Sequence, residues 1–272
     1  MGKLDNQVVI VTGAGRGWGQ AIAVKTAREG ANTIVVARTQ SEIDNTVNMI
    51  KAEGNHAEGY SVDVSNDAEV LKMIDGVMAK YGRLDVMINN AAILPLKTFE
   101  DATMEEVDRV LNINLRAYIF ICKQVIEIMK KQGGGSIINV SSNSGINGYE
   151  NESIYCAAKH AIEGFTKSIA IELEPRNIAV NTITPGSLEH RIKATSITQK
   201  MWDAMSEAER AVYTDPIEYT EAFVYLGLQR PANNGISGKR FSAYKLSEHI
   251  RKSGYGLTLA DLKLEDPLLG WF

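Results

Sequence analysis

Six apolar runs rich in β-branched residues punctuate the chain, and no other feature limits its fold as tightly. They are "VVIVT" (Val8 to Thr12), "TIVVA" (Thr33 to Ala37), "AEGYSV" (Ala57 to Val62), "LDVMIN" (Leu84 to Asn89), "SIINVS" (Ser136 to Ser141) and "IAVNTIT" (Ile178 to Thr184). Their apolar residues are continuous rather than alternating, the pattern of strands buried on both faces, as in parallel sheets. Helical patterns fill the intervals and give the rhythm of βαβ units. Right-handed crossovers then place helices on both faces of an open, doubly wound sheet, and ligands bind beyond the carboxyl ends of its strands. The residues directly after the runs are Gly13, Arg38, Asp63, Asn90, Ser142 and Pro185. Polar or backbone-permissive residues therefore collect along one edge, which is the predicted site.

Composition narrows the class of function. With 272 residues, 44 % hydrophobic and 23 % charged, the chain has ample material for a core. A formal net charge of −4 without a basic run provides no footprint for nucleic acid or an anionic membrane surface. The start, "MGKLDNQVVIVTGAG", lacks the apolar core and cleavage site of a signal peptide, and no run reaches bilayer-spanning length, so the expected location is cytoplasmic. Cys122 and Cys156 stand far apart, and His56, His160, His190 and His249 form no ligand spacing, so no metal is predicted. No repeat or linker interrupts the first 186 residues, which argues for a single α/β domain over 1–272.

"TGAGRGWG" (Thr12 to Gly19) follows the first run directly and opens a helical pattern. Glycines there allow a tight turn and let a pyrophosphate approach backbone N–H groups at a helix N-terminus. The spacing is T-G-x-x-x-G-x-G, with Gly13, Gly17 and Gly19, rather than G-x-G-x-x-G. A glycine-rich turn has a purely conformational explanation when it stands alone. Four glycines within seven residues after a buried strand point instead to a dinucleotide and a Rossmann-type sheet.

At the end of the second run, a carboxylate would accept hydrogen bonds from the adenosine ribose of NAD. Here the chain reads "VVARTQSEID", with Arg38 in that place and no carboxylate before Glu42. Arg38 and Arg16 could clamp a ribose 2′-phosphate, or both could be solvated loop residues. The missing carboxylate and the two arginines agree, so NADP(H) is expected in preference to NAD(H).

"YCAAK" puts Tyr155 and Lys159 one helical turn apart, and the helix face continues as Ile162, Thr166, Ile169 and Leu173. That face is largely apolar and turns inward, so Lys159 points at the interior, where an ammonium is costly without partners. Ser141, Ser142 and Asn143 end a strand at the same predicted edge, and Asn114 interrupts an apolar helical pattern in "VLNINLRAY". Each has an ordinary explanation by itself, a turn serine or a helix kink. Their combination does not.

With these residues in place, the sequence resembles the short-chain dehydrogenase/reductase family, in its form of about 250 residues. The matching motifs are "TGAGRGWG", Asp63-Val64, "NNAA" (Asn89 to Ala92), Asn114, "NVSS" (Asn139 to Ser142), "YCAAK" and Pro185-Gly186. The resemblance is close over residues 5 to about 186 and loose from there to about 241. It implies Tyr155 as acid/base, Ser142 as donor to the substrate oxygen, and Asn114 as the residue that positions a water in a proton relay. Lys159 would hold the nicotinamide ribose and lower the phenol's pKa. Asp63 and Val64 would meet the adenine, Asn90 and Ala91 a ribose, and Pro185 and Gly186 the nicotinamide. An ammonium about 4 Å from the phenolate contributes about 4 kcal/mol at an effective dielectric of about 20, enough to bring Tyr155 towards neutral pH. The implied chemistry is hydride transfer between NADP(H) and a small carbonyl compound or secondary alcohol, in a homo-oligomer, tetramer or dimer. A catalytically silent dinucleotide-binding regulator is the alternative on the same fold. Sugar-nucleotide epimerases of the extended relatives need a larger C-terminal region than the roughly 85 residues after Gly186.

Several places depart from the family pattern. Ala92 stands where glycine is usual, Trp18 replaces an aliphatic residue in the glycine loop, and no threonine follows Pro185-Gly186 before Thr195. Residues 187–215 begin with Glu189, His190, Arg191 and Lys193, and then place Met201, Met205, Ala208 and Val212 at helical spacing. A helix packed on the body is expected there; the alternative, compatible with it, is a lid over a substrate pocket. "GISGKRFSAYKL" echoes the family's last strand without its usual Val-Asp-Gly-Gly ending. The extension 242–272 ends in Leu268, Leu269, Trp271 and Phe272, an apolar tip expected to pack on the body or at a subunit interface.

Overall fold

The computed structural model describes residues 2–186, 191–192, 199–258 and 260–262. Strands β1 (Val8–Thr12), β2 (Asn32–Ala37), β3 (Ala57–Ser61), β4 (Val86–Asn89), β5 (Gly135–Val140) and β6 (Ile178–Thr184) form one parallel sheet. The two-residue strands β7 (Arg191–Ile192) and β8 (Tyr213–Thr214) pair apart from it, and β9 (Arg240–Ser242) joins its far edge parallel to β6. The order is β3-β2-β1-β4-β5-β6-β9, so the chain reverses its direction of growth between β1 and β4. That reversal opens a crevice at the strand ends.

Strand side chains alternate between two cores. Val9 and Val11 of β1 join one, and Val8 and Ile10 the other. Helices α1 (Gly17–Arg28) and α2 (Gln40–Ala52) cover the first core. On the second lie α3 (Asp67–Tyr81), α5 (Ala117–Lys131) and α6 (Ser153–Leu173), with α4 (Met104–Leu111) running into α5 through a π-helical turn at Asn112–Arg116. Side-chain caps start two of them: Asn66 accepts from the Ala68 and Glu69 N–H groups, and Thr103 with Glu106 makes a capping box for α4.

After β6 come the short helices α7 (Gln199–Ala204) and α8 (Glu207–Ala211), then α9 (Glu221–Gly227) and α10 (Ala243–Ser253), which return to the first core. The single helix expected over the methionine stripe is thus two. Ser206 caps α8 together with Glu209, and this capping box starts a new helix inside the stripe. Met201 and Ala208 are exposed rather than packed on the body. Glu189, His190, Lys193 and Thr195 lie outside the described residues, as do Leu268, Leu269, Trp271 and Phe272. The described part of the extension packs inward through Leu246, Ile250 and Leu262.

Two further expectations change. β3 is an edge strand with its residues half-buried or exposed, so it is not covered on both faces as its run suggested. The three residues between Tyr155 and Lys159, expected from the sequence to be packing, divide: Cys156 and Ala158 are buried, but Ala157 is exposed on the outer face of α6. Among the described residues, no helix is long and apolar enough to cross a membrane.

Candidate active site

A cleft of about 590 Å³ runs along the carboxyl ends of the strands and crosses the β1/β4 reversal. Its floor is the glycine turn. Gly13 and Gly17 have φ of +66° and +59°, a region closed to most side chains. A Cβ on Gly13 would come within 2.9 Å of the Ala91 Cα, and one on Gly19 would collide with the Gly13 carbonyl oxygen. Helix α1 starts without a side-chain cap and without an acidic residue in its first turn, which leaves its first N–H groups for an anion. These residues fit the pyrophosphate of a dinucleotide.

Asn90 and Ala91 brace that turn. The Asn90 amide donates to the Thr12 carbonyl at 2.8 Å, and the Asn90 and Ala91 N–H groups donate to the Thr12 hydroxyl at 2.9 and 3.1 Å. Both residues line the cleft. Ala92, also on the wall, avoids positive φ, so its methyl group is tolerated. Trp18 faces the cleft while packing edge-on against Phe223 at 5.0 Å, which roots the loop in the core.

At one end of the cleft stand Arg16, Arg38, Asp63 and Val64. Each arginine faces a carboxylate: Arg16 lies 3.3 Å from Glu42, and Arg38 lies 3.9 Å from Asp63. The Glu42 carboxylate, absent from the strand end itself, thus reaches the same end from α2. Burial pushes the Asp63 carboxyl up, but hydrogen bonds from Ser65 and the charges of Arg38 and Arg109 hold it below the usual range.

The other end carries Tyr155, Lys159, Ser141 and Pro185, while Ser142, Gly186 and Asn114 stand off the wall. Lys159 is 1 % exposed; its Nζ donates to the Val140 carbonyl at 2.7 Å. The ammonium lies over two rings, 5.1 Å from the Tyr118 centroid and 5.6 Å from that of Tyr155. Burial lowers the Lys159 pKa to about 7, with Glu163 opposing. Burial also raises the Tyr155 phenol to about 12, against a hydrogen bond from Ser142. This reverses the expected sign for the phenol. Desolvation dominates at the phenol, while the Lys159 Nζ is turned to Val140 and has its own pKa lowered to about 7.

Ser142 lies two residues beyond β5 and caps the next turn, its hydroxyl oxygen accepting from the Ser144 N–H at 3.1 Å. The Ser144 hydroxyl in turn donates to Glu152 at 2.7 Å. Asn114 is fully buried in the π turn. Its amide donates to the Ile93 carbonyl at 2.7 Å and accepts from the Ile93 N–H at 2.9 Å. The side chain therefore holds the segment after β4 in place. Asn143 donates to the Gly186 carbonyl at 3.1 Å, and the Tyr244 N–H donates to the Pro185 carbonyl, which ties the β6 end to both neighbours.

Three residues at this end escaped the reading of the sequence: Tyr118, Glu163 and Arg240. Glu163 carried a signal, a carboxylate one turn past Lys159 on a buried face. Tyr118 and Arg240 carried none, since their partners are remote in sequence.

Known proteins similar to this chain belong to one family. The family model for short chain dehydrogenase matches residues 7–201. The cyclopentanol dehydrogenase of Comamonas testosteroni is 36 % identical over 234 residues, 83 % of this chain and 91 % of that protein. The 3beta-hydroxysteroid dehydrogenase of Mediterraneibacter gnavus is 35 % identical over 190 residues, 70 % of this chain and 68 % of that protein. A crystal structure of a short-chain type dehydrogenase/reductase from Mycobacterium marinum superposes with a TM-score of 0.79 at 28 % identity, covering 88 % of this chain and 94 % of that one. A metagenomic short-chain oxidoreductase in complex with NADP does so with a TM-score of 0.72 at 28 % identity, over 84 % and 94 %. A match over most of the chain, on a sheet of the same order of build and with the motifs gathered at one cleft, places this protein in the short-chain dehydrogenase/reductase family.

Proposed function

We propose that this protein is a dehydrogenase/reductase that interconverts a secondary alcohol and its carbonyl compound, with NADP(H) preferred to NAD(H). The observation that carries the reading is Tyr155 on the cleft wall, at the opposite end from the arginines, with Lys159 buried one turn away. When bound, the dinucleotide supplies or accepts the hydride. Gly13, Gly17, Gly19 and the uncapped start of α1 hold its pyrophosphate, and Arg16 and Arg38 take the 2′-phosphate by exchanging their carboxylate partners. Asp63 and Val64 border the adenine, Asn90 and Ala91 a ribose, and Pro185 and Gly186 the nicotinamide.

Tyr155 gives its phenolic proton to the substrate oxygen in reduction and removes the hydroxyl proton in oxidation. The Ser142 hydroxyl donates to the same oxygen as charge develops there. Lys159, with a pKa of about 7, accepts or releases a proton near neutral pH and so returns the phenol to its starting state. Asn114, its amide anchored to Ile93, places its main chain for that relay.

Leu94, Pro95 and Ile192 on the wall favour an apolar substrate, and the names of the two dehydrogenases above are in keeping with one. The chain acts as one unit over 1–272 and assembles as a homo-oligomer, tetramer or dimer. The test is Tyr155→Phe. Turnover of an alicyclic alcohol with NADP falls about 10²- to 10⁴-fold, while the dissociation constant for NADPH, read by fluorescence, stays within about twofold. Undiminished turnover would remove Tyr155 from the mechanism.

A further inference from the structure

Behind the reacting end, a charged pair sits where water does not reach. Glu163 on α6 is 5 % exposed and Arg240 on β9 is 2 % exposed. Arg240 Nε donates to Glu163 Oε1 at 3.1 Å, and Arg240 Nη2 donates to the Ser142 main-chain carbonyl at 3.1 Å. The Thr182 hydroxyl donates to the other Glu163 oxygen at 2.7 Å. The third guanidinium nitrogen, Nη1, is buried without a hydrogen-bond partner. A Cβ on Gly145 would stand 3.2 Å from both the Glu163 Cγ and the Lys159 carbonyl oxygen. The loop that begins at Ser142 thus rests directly on this stretch of α6.

A buried ion pair is weak as a source of stability, because apolar residues of similar volume do as well or better. One nitrogen left unpartnered makes this pair poorer still. Its contacts explain its presence differently, since one member grips the backbone of Ser142 and the other lies a single turn from Lys159. We propose that Arg240 and Glu163 are positioning residues for the reaction, Arg240 fixing the Ser142 backbone and Glu163 setting the field at Lys159. The proposal rests on the dehydrogenase reading of the same site. The family-model match stops at residue 201, so Arg240 lies outside it.

Among the described residues, the groups facing Lys159 are Tyr155 and Glu163 from α6, the Tyr118 ring from α5 and the Val140 carbonyl from β5. Glu163 is the one negative charge in that set. It holds Lys159 towards the ammonium form against burial, which acts the other way and more strongly. Arg240 in turn keeps Glu163 fixed in place.

The test is the double variant E163L/R240M, which removes both charges together and leaves neither buried alone. Its thermal midpoint should stay within a few degrees of the wild type. On a substrate that the wild type turns over, kcat should fall by about tenfold to a hundredfold, with the NADPH dissociation constant unchanged. In dinucleotide-free protein, the ¹³C NMR titration of Lys159, assigned with Lys159→Met, should move to lower pH. Wild-type values for both kcat and that midpoint would overturn the proposal. Absence of turnover in the wild type on every alcohol and ketone tried would defeat the dehydrogenase reading instead, and an unmoved Lys159 midpoint would then overturn the proposed field. Should the double variant fail to fold, Arg240→Lys replaces it. That change keeps the charge but cannot reach Glu163 and Ser142 together, so kcat should drop while the Lys159 midpoint stays. An unchanged kcat would overturn the hold on Ser142.

Discussion

The two ends of the cleft use the same kinds of charge in opposite surroundings. At the adenosine end, the Arg16–Glu42 side chains are 65 % and 32 % exposed, and each arginine meets its carboxylate at 3.3 to 3.9 Å. Behind the reacting end, the Arg240–Glu163 side chains are 2 % and 7 % exposed and meet at 3.1 Å. Water screens the first set, so its members can swap partners when a phosphate arrives. The second set cannot swap, because an uncompensated charge there has no solvent to turn to. Under the proposed function, exposed charge would serve cofactor selection at one end, and enclosed charge would serve geometry and proton affinity at the other.

The contrast is most exposed to failure in single substitutions. Glu163→Leu leaves Arg240 buried and unpaired, and should cost about 3–5 kcal/mol of unfolding free energy in a urea titration. Glu42→Ala at the other end should cost less than about 1 kcal/mol. Similar losses at both sites would end the distinction.

A second prediction concerns pH. Burial lowers the Lys159 pKa from the ordinary 10.5 to about 7, so the folded chain should bind fewer protons between those values. The cost of enclosing the ammonium is full below about pH 7 and is relieved as pH rises towards 10.5. Lys159→Met should therefore gain stability over the wild type at pH 6. The gap should close by about 1.4 kcal/mol per pH unit between 7 and 10.5, measured by denaturation at matched ionic strength. A gap independent of pH would show that Lys159 keeps an ordinary pKa.

The smallest effect is expected at Arg38. Arg38→Ala should raise the KM for NADPH about tenfold while leaving that for NADH unchanged. Equal changes for both cofactors would mean that Arg38 does not meet the 2′-phosphate.

How much of this was legible depended on how local the cause was. The ends of β1 and β6 match the apolar runs to the residue, because a buried parallel strand writes its whole length as apolar sequence. The inward turn of Lys159 was equally legible, since helical periodicity alone sets it. The sign of the Tyr155 shift was not. It depends on how far two groups are desolvated and on Nζ turning to Val140, and neither is written in a four-residue spacing. Asn114 announced that its amide had work, but its partner Ile93 lies 21 residues earlier. Arg240 and Glu163 are 77 residues apart and meet only because β9 joins the sheet beside β6. The break between α7 and α8 was readable in principle, since Ser206 and Glu209 spell a capping box that the methionine stripe obscured.

The π turn at Asn112–Arg116 has a bearing on how the chain can evolve. Such a turn is an α-helix with one residue inserted, and each residue advances a helix by about 100°. Asn114 and Tyr118, which face Ile93 and Lys159 respectively, both depend on that phase. Loss of a single residue here would keep the helix intact but shift the phase between the two by about 100°, so that they could not both keep their partners. Chain length at this point therefore matters to the surroundings of Lys159 as much as residue identity does.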